Sequence, residues 1–177
     1  MQGIHNPREI DAALISEKRL IDYFQEQSKY IRTPLGKAVF WDMAQKGRTN
    51  FRRLYRLRRR RTGRVRLEEG SGQAGDAAAT ARGLEDLEAG LSGHASRAPE
   101  DSGDCSIIEA ASYLVDKASW YFSRFSESLG DPEEKELFRA LAGMKREYFL
   151  NLKDIEEYLK NPGSWFAEME HHGLDVT

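Results

Sequence analysis

Ile10, Leu14, Glu17, Ile21 and Phe24 recur at three- and four-residue intervals. That spacing puts five side chains on one stripe of an α-helix. Thr33-Pro34 then predicts a new helix, with Thr33 as N-cap and Pro34 at the first helical position. Phe40, Met43, Gly47, Phe51 and Leu54 form its stripe. Residues 107–129 predict a third helix with apolar groups on more than one face. Asp131-Pro132 repeats the cap-plus-proline start, and Phe138, Leu141, Lys145, Tyr148, Leu152, Ile155 and Leu159 line the helix that follows.

The two helix pairs are alike. Glu17-Lys18 aligns with Asp116-Lys117, and Thr33-Pro34 with Asp131-Pro132. Phe40, Met43-Ala44, Phe51 and Leu54 align with Phe138, Leu141-Ala142, Phe149 and Leu152. Two similar hairpins joined by a long connection predict an all-α fold, a four-helix bundle with one crossover in the ferritin-like arrangement. In that organisation residues 7–57 are the first hairpin, 58–105 the crossover, 106–160 the second hairpin and 161–177 a C-terminal cap and tail. Trp165 and Phe166, after the Asn161-Pro162 turn, are expected to close one end of the bundle.

Composition changes the picture in the crossover. From Arg58 to Cys105 there is no Phe, Tyr, Trp, Ile, Met or Lys, and there are eight glycines. Such a segment buries too little apolar surface to offset its ordering entropy, so it is expected to be mostly disordered. Its Ala, Leu and Glu content allows one weak helix over residues 77–91. The abrupt switch to Arg, Gly, Ala and Ser without lysine is also what out-of-frame reading of GC-rich coding DNA produces.

The chain of 177 residues suits one domain, and its formal net charge is −2. The balance conceals an asymmetry. Residues 1–66 hold 17 Lys+Arg against 6 Asp+Glu, and residues 67–177 hold 10 against 23. Ten of the nineteen residues from 48 to 66 are arginine. This run has phosphate-binding character. From Arg52 onward it carries Tyr55 but no further interleaved aromatic and no known recognition motif, so nucleic acid is not the expected partner. A solvated basic end to the second helix is the expected reading, and pairing with the chain's own acidic half or with a partner's acidic face is the further one.

No run of eighteen apolar residues is present, so no membrane span is expected. The first residues lack the apolar core of a secretory signal, and a single cysteine excludes a disulfide framework within one chain. These features favour the cytoplasm. Cys105 has no resolving cysteine and no neighbouring cation, which makes it structural or incidental. Glu168-x-x-His171, with His172 beside it, is the one Glu-x-x-His in the chain. It lies past Pro162, outside the four helices, where solvated polar residues are the common case; His5 and His94 fall in segments expected to be flexible.

The polar residues on the buried stripes are the natural place for chemistry, because a buried carboxylate costs several kcal/mol unless it is paired or metal-bound. Glu17 sits between Leu14 and Ile21, and Gly47 and Asn50 between Met43 and Leu54. Lys145 and Tyr148 sit between Leu141 and Leu152, and Asp116 occupies the repeat position of Glu17.

The order of these motifs resembles a rubrerythrin-type member of the ferritin-like di-iron superfamily. The first hairpin carries it through Ala13-Leu14-Ile15-Ser16-Glu17-Lys18, Tyr23-Phe24, Phe40, Met43-Ala44 and Leu54. The second does so through Asp116-Lys117, Trp120-Tyr121-Phe122, Asp131-Pro132 through Phe138, and Leu141-Ala142. Asn161-Pro162-Gly163-Ser164-Trp165-Phe166 and His172-Gly173-Leu174-Asp175 extend it. The likeness covers both hairpins and not residues 58–105.

The resemblance implies a homodimer that binds two irons and reduces peroxide. One carboxylate comes from the first helix of each hairpin, and a Glu-x-x-His pair from the second. Glu17 and Asp116 match the two carboxylates. The Glu-x-x-His positions read Gly47-x-x-Asn50 and Lys145-x-x-Tyr148, and no histidine lies in the four helices. The rubredoxin-type iron centre is absent, for want of cysteines. Two carboxylates without imidazole are a poor dinuclear site, and an ammonium there repels iron. The sequence therefore favours a degenerate member with no metal cofactor, in which Lys145 pairs with Glu17 and Asp116 and Tyr148 supplies a hydrogen bond. The alternative is a non-haem di-iron oxidoreductase with unconventional further ligands. Equally open is a Lys145 that snorkels out of the bundle.

Overall fold

The computed structural model describes residues 7–65, 89 and 103–163. The described residues form four long helices: α1 (Pro7–Tyr30), α2 (Pro34–Val65), α3 (Asp104–Ser128) and α4 (Pro132–Lys160). The described residues are helical and contain no strand, an all-α arrangement as the periodicity predicts. Among the described residues no helix is long and apolar enough to cross a membrane.

Each hairpin turns where its cap residues stand. Asp131 starts α4 as predicted: its Oδ1 accepts hydrogen bonds from the Glu133 and Glu134 amides at 2.9 and 3.2 Å, ahead of Pro132. Thr33 behaves differently. Its carbonyl accepts from Lys37 N at 3.0 Å, but the side-chain acceptor at this turn comes from another helix. Asp104, the first residue of α3, takes the Arg32 amide on Oδ1 at 2.8 Å and the Thr33 amide on Oδ2 at 2.7 Å. Partial burial works against ionisation of Asp104, yet these amide hydrogen bonds hold its carboxyl below the ordinary range.

α1 packs on α2 and α3 on α4; the two hairpins meet through α1 on α3 and α2 on α4. Polar contacts fix the directions. Asp104 joins the start of α3 to the end of α1. Arg61, near the end of α2, forms a two-point ion pair with Glu134 in the first turn of α4, its Nε 2.6 Å from Oε1. Lys160 at the end of α4 lies 2.8 Å from Glu109 near the start of α3. Every neighbouring pair is thus antiparallel, and α2 and α3 run the same way. The connection between them joins opposite ends of the bundle, which is why a long link separates the hairpins.

The helix boundaries shift the expected division at residue 58. α2 continues to Val65 because arginine is a good helix former. Its side chains also find partners across the bundle end. Arg58 Nε lies 2.5 Å from Asp11, Arg60 lies 3.5 Å from Glu133, and Arg61 holds Glu134. Asp104 and Cys105 likewise belong to α3, where Cys105 is partly buried. Of the helix expected over residues 77–91 only Ala89 is described, and it is helical. The expected cap formed by Trp165 and Phe166 lies outside the described residues, as do His5, His94, Glu168, His171 and His172.

The core stripes follow the predicted ones except at Phe51 and Leu159, which are only partly buried and pack against the core from its edge. Ile10, Leu14, Ile21 and Phe24 of α1, Phe40, Met43 and Leu54 of α2, and Phe138, Leu141, Leu152 and Ile155 of α4 are buried. Each hairpin locks its two helices with an edge-to-face aromatic pair. Phe24 and Phe40 lie 5.7 Å apart at 88°, and Phe125 and Phe138 lie 4.4 Å apart at 83°. Such pairs add about 0.5–1.5 kcal/mol beyond their area burial. α3 buries one broad face, through Leu114, Val115, Ala118, Tyr121, Phe122 and Phe125, and leaves Tyr113 and Trp120 half exposed.

Candidate functional site: a buried ion pair at the centre of the bundle

Glu17 and Lys145 lie wholly inside the bundle, at 0% and 1% side-chain exposure. The stripe positions that put Leu14 and Ile21 in the core carry Glu17 there as well. Leu141 and Leu152 do the same for Lys145. The Lys145 ammonium stands 2.9 Å from both carboxylate oxygens and donates a hydrogen bond to Oε1. Asn50, from α2, donates through Nδ2 to the same Oε1 at 3.3 Å, and its Nδ2 also lies 3.1 Å from Met144 Sδ. Three helices therefore converge on one carboxylate. A buried charge pair of this kind offsets most of its desolvation cost only when its geometry is kept.

Tyr148, one turn beyond Lys145, presents its ring rather than its hydroxyl. The Lys145 ammonium lies 5.5 Å from the ring centroid, and Lys46 approaches the same ring at 5.9 Å. The hydroxyl is buried and has no hydrogen-bond partner among the described residues. Burial, reinforced by the nearby charges of Glu17, Asp42 and Glu147, raises the phenol well above its ordinary pKa. The expected hydrogen bond from Tyr148 to the pair is replaced by a ring–cation contact.

Gly47 faces the same carboxylate from α2. A Cβ there would stand 2.7 Å from Ile21 Cγ1 and 3.4 Å from Glu17 Oε1. The absent side chain lets α1 and α2 approach closely beside the ion pair.

Asp116 does not join this group. Its side chain is 53% exposed and its nearest cation is Arg146, 3.5 Å away on the surface. The expectation that Lys145 pairs with both Glu17 and Asp116 is corrected to Glu17 alone. The physical reason is rotation. One residue along a helix turns about 100°, and Leu114 and Val115 occupy the core face, so the next position swings out. Matching the hairpins by sequence aligned residue types and not helix faces. Burial of Glu134 at the bundle end, where Arg61 covers it, was not singled out from the sequence. Its proximity to a cap in the chain gave no signal of a partner 73 residues away.

The donor set is therefore one carboxylate, one ammonium, one amide and one aromatic ring. Among the described residues no three His, Cys, Asp or Glu side chains come together so as to hold a metal ion. A pair of irons of the kind the resemblance implies does not fit here. The ammonium already occupies the place beside Glu17 where a cation would sit, and Gly47 offers no ligand. No protein-family model, no curated protein and no solved structure matches the chain.

Proposed function

We propose that the chain is a degenerate rubrerythrin-like bundle of the ferritin-like superfamily. It has kept the four helices and exchanged the charge of the metal centre for the ammonium of Lys145. On this reading it is a structural or binding protein and not an oxidoreductase. The observation that carries the proposal is the Lys145–Glu17 pair, both members buried at a position where the superfamily places metal ligands. The helix directions support it too. α2 and α3 run parallel and the hairpins meet through α1–α3 and α2–α4, the arrangement that a single crossover requires.

The test is iron content by elemental analysis, after anaerobic loading with ferrous iron and desalting. Iron near zero, with the helical circular dichroism retained, is the expected result. Roughly two irons per chain, the stoichiometry of a dinuclear centre, would overturn the proposal and restore the non-haem di-iron oxidoreductase.

A further inference from the structure

α2 turns a basic stripe with two aromatic rings outward. Lys37, Trp41, Arg48, Arg52, Tyr55 and Arg59 follow one another at steps of three, four or seven residues. At about 100° per residue, all six fall within about 60° of one another around the helix. From Trp41 to Arg59 the stripe runs about 27 Å along the axis. All but Arg48 are exposed, Trp41 by 63% and Tyr55 by 46%. Arg48 is partly buried and, with Trp41, lines a groove of about 350 Å³ between α1 and α2. Asn50, which reaches the buried carboxylate, leaves α2 on the opposite side. The stripe therefore stands apart from the Lys145–Glu17 centre and from the function proposed for it.

The charge of this face is not cancelled by its surroundings. α2 holds eleven Lys+Arg and one acidic residue, Asp42, which pairs with Lys46. The acids flanking the stripe are already taken. On α1, Asp22 pairs with Lys18 and Glu26 with Lys29. On α4, Glu133 pairs with Arg60 and Glu134 with Arg61. Arg48, Arg52 and Arg59 of the stripe, with Arg53 and Arg56 beside it, form no ion pair among the described residues, whereas Arg58, Arg60 and Arg61 do. Glu136, Glu147 and Asp154 are exposed on α4, which confines the positive surface to α2.

We propose that this stripe binds single-stranded nucleic acid, its guanidinium groups taking phosphates while Trp41 and Tyr55 stack on bases. Arginine presents a planar fork to phosphate oxygens and itself stacks on flat rings. An exposed aromatic side chain offers a face to any unpaired base, and a duplex keeps its bases from such contact. An acidic protein would use the charge and leave both rings without a role. Along the chain the interleaving is hidden, because Trp41 lies outside the arginine run and fourteen residues from Tyr55. That is why the sequence alone does not point to nucleic acid. One unbroken helix from Pro34 to Val65 brings both rings into line with the arginines.

The experiment is fluorescence anisotropy of a labelled oligothymidylate of roughly 20 nucleotides, long enough to cover the stripe, titrated with the full chain across a range of salt. The variants are R52E/R56E, W41A/Y55A and W41F/Y55F, and circular dichroism of each confirms folding. The wild type is expected to bind at low salt and to weaken as salt rises. R52E/R56E is expected to bind more weakly, with a salt slope shallower by at least about 1.4, the share of two phosphates. W41A/Y55A is expected to lose roughly tenfold or more in affinity with its salt slope unchanged, and W41F/Y55F to keep most of the binding. No binding at low salt overturns the proposal. So does wild-type affinity in W41A/Y55A, which would reduce the contact to charge alone. Equal or tighter binding of the matching duplex overturns it as well. Polyglutamate bound as tightly as the oligothymidylate would assign the face to an acidic protein instead, and phosphatidylserine vesicles bound where the oligothymidylate is not would assign it to a membrane surface.

Discussion

Lys145 and Glu17 stand 128 residues apart in the chain, and the Lys145 ammonium lies 2.9 Å from Glu17 Oε1 at the centre of the bundle. Neither side chain reaches solvent. Each is the other's counter-ion, so the pair is indispensable as a pair and dispensable as a charge.

That asymmetry yields the first prediction. Lys145→Met leaves Glu17 buried and uncompensated and is expected to cost about 3–5 kcal/mol in urea unfolding. Glu17→Leu combined with Lys145→Met removes both charges and is expected to recover most of that loss. An unchanged unfolding midpoint for Lys145→Met would show that the ammonium contributes nothing to the core.

The Tyr148 hydroxyl supplies the second. It is buried without a hydrogen-bond partner among the described residues. Tyr148→Phe keeps the ring over the Lys145 ammonium and removes the unsatisfied group. The melting temperature is expected to rise, by the equivalent of about 1 kcal/mol. A fall in stability would mean that the hydroxyl is satisfied in solution.

Gly47 and Gly143 form a matched pair of helical glycines with opposite surroundings. A Cβ at Gly143 meets nothing within 4 Å, and Gly143→Ala is expected to stabilise the chain by up to about 1 kcal/mol. A Cβ at Gly47 meets Ile21 Cγ1 at 2.7 Å. The resulting overpacking, typically about 1–3 kcal/mol, is expected to outweigh the same helix-propensity gain. Thermal unfolding of both variants checks the contrast, and a stabilising Gly47→Ala would refute the close approach of α1 and α2.

Acid pH tests the capping role of Asp104. The folded-state carboxyl titrates below its ordinary value because it accepts the Arg32 and Thr33 amides against the cost of partial burial. Its contribution is therefore complete above the unfolded pKa, about 4, and is lost as pH falls through the lower folded value. Asp104→Asn is expected to be less stable than wild type at pH 7, with the gap closing below about pH 4. A gap that persists undiminished at pH 2 would place the effect elsewhere.

Much of the helix content was legible in the sequence because its causes are local. Apolar spacing of three and four residues defines a face, Asp131-Pro132 defines a start, and neither depends on the rest of the chain. The stripes of α1 and α4 even carried Glu17 and Lys145 to the interior, since a residue between two core positions goes where they go. Asp116 escaped the same reasoning. Its place was inferred from likeness between hairpins, and a helix face is set by angle, so a one-position difference exposes it. The arginine run was legible as charge but not as structure: only the antiparallel meeting of α2 and α4 turned Arg61 toward Glu134 and left Arg48, Arg52, Arg56 and Arg59 outside.

The sequence by itself determined four amphipathic helices, most of their boundaries, and the presence of charge on two buried stripes. The tertiary structure decided which charges meet. It joined Lys145 to Glu17 and Asp104 to the α1–α2 turn, and it gave Tyr148 a cation over its ring in place of a hydrogen bond. The reason is the range of the forces involved. Helix formation and amphipathicity are written within a few turns of the chain, whereas an ion pair depends on distance and burial, which exist only once distant helices are packed side by side.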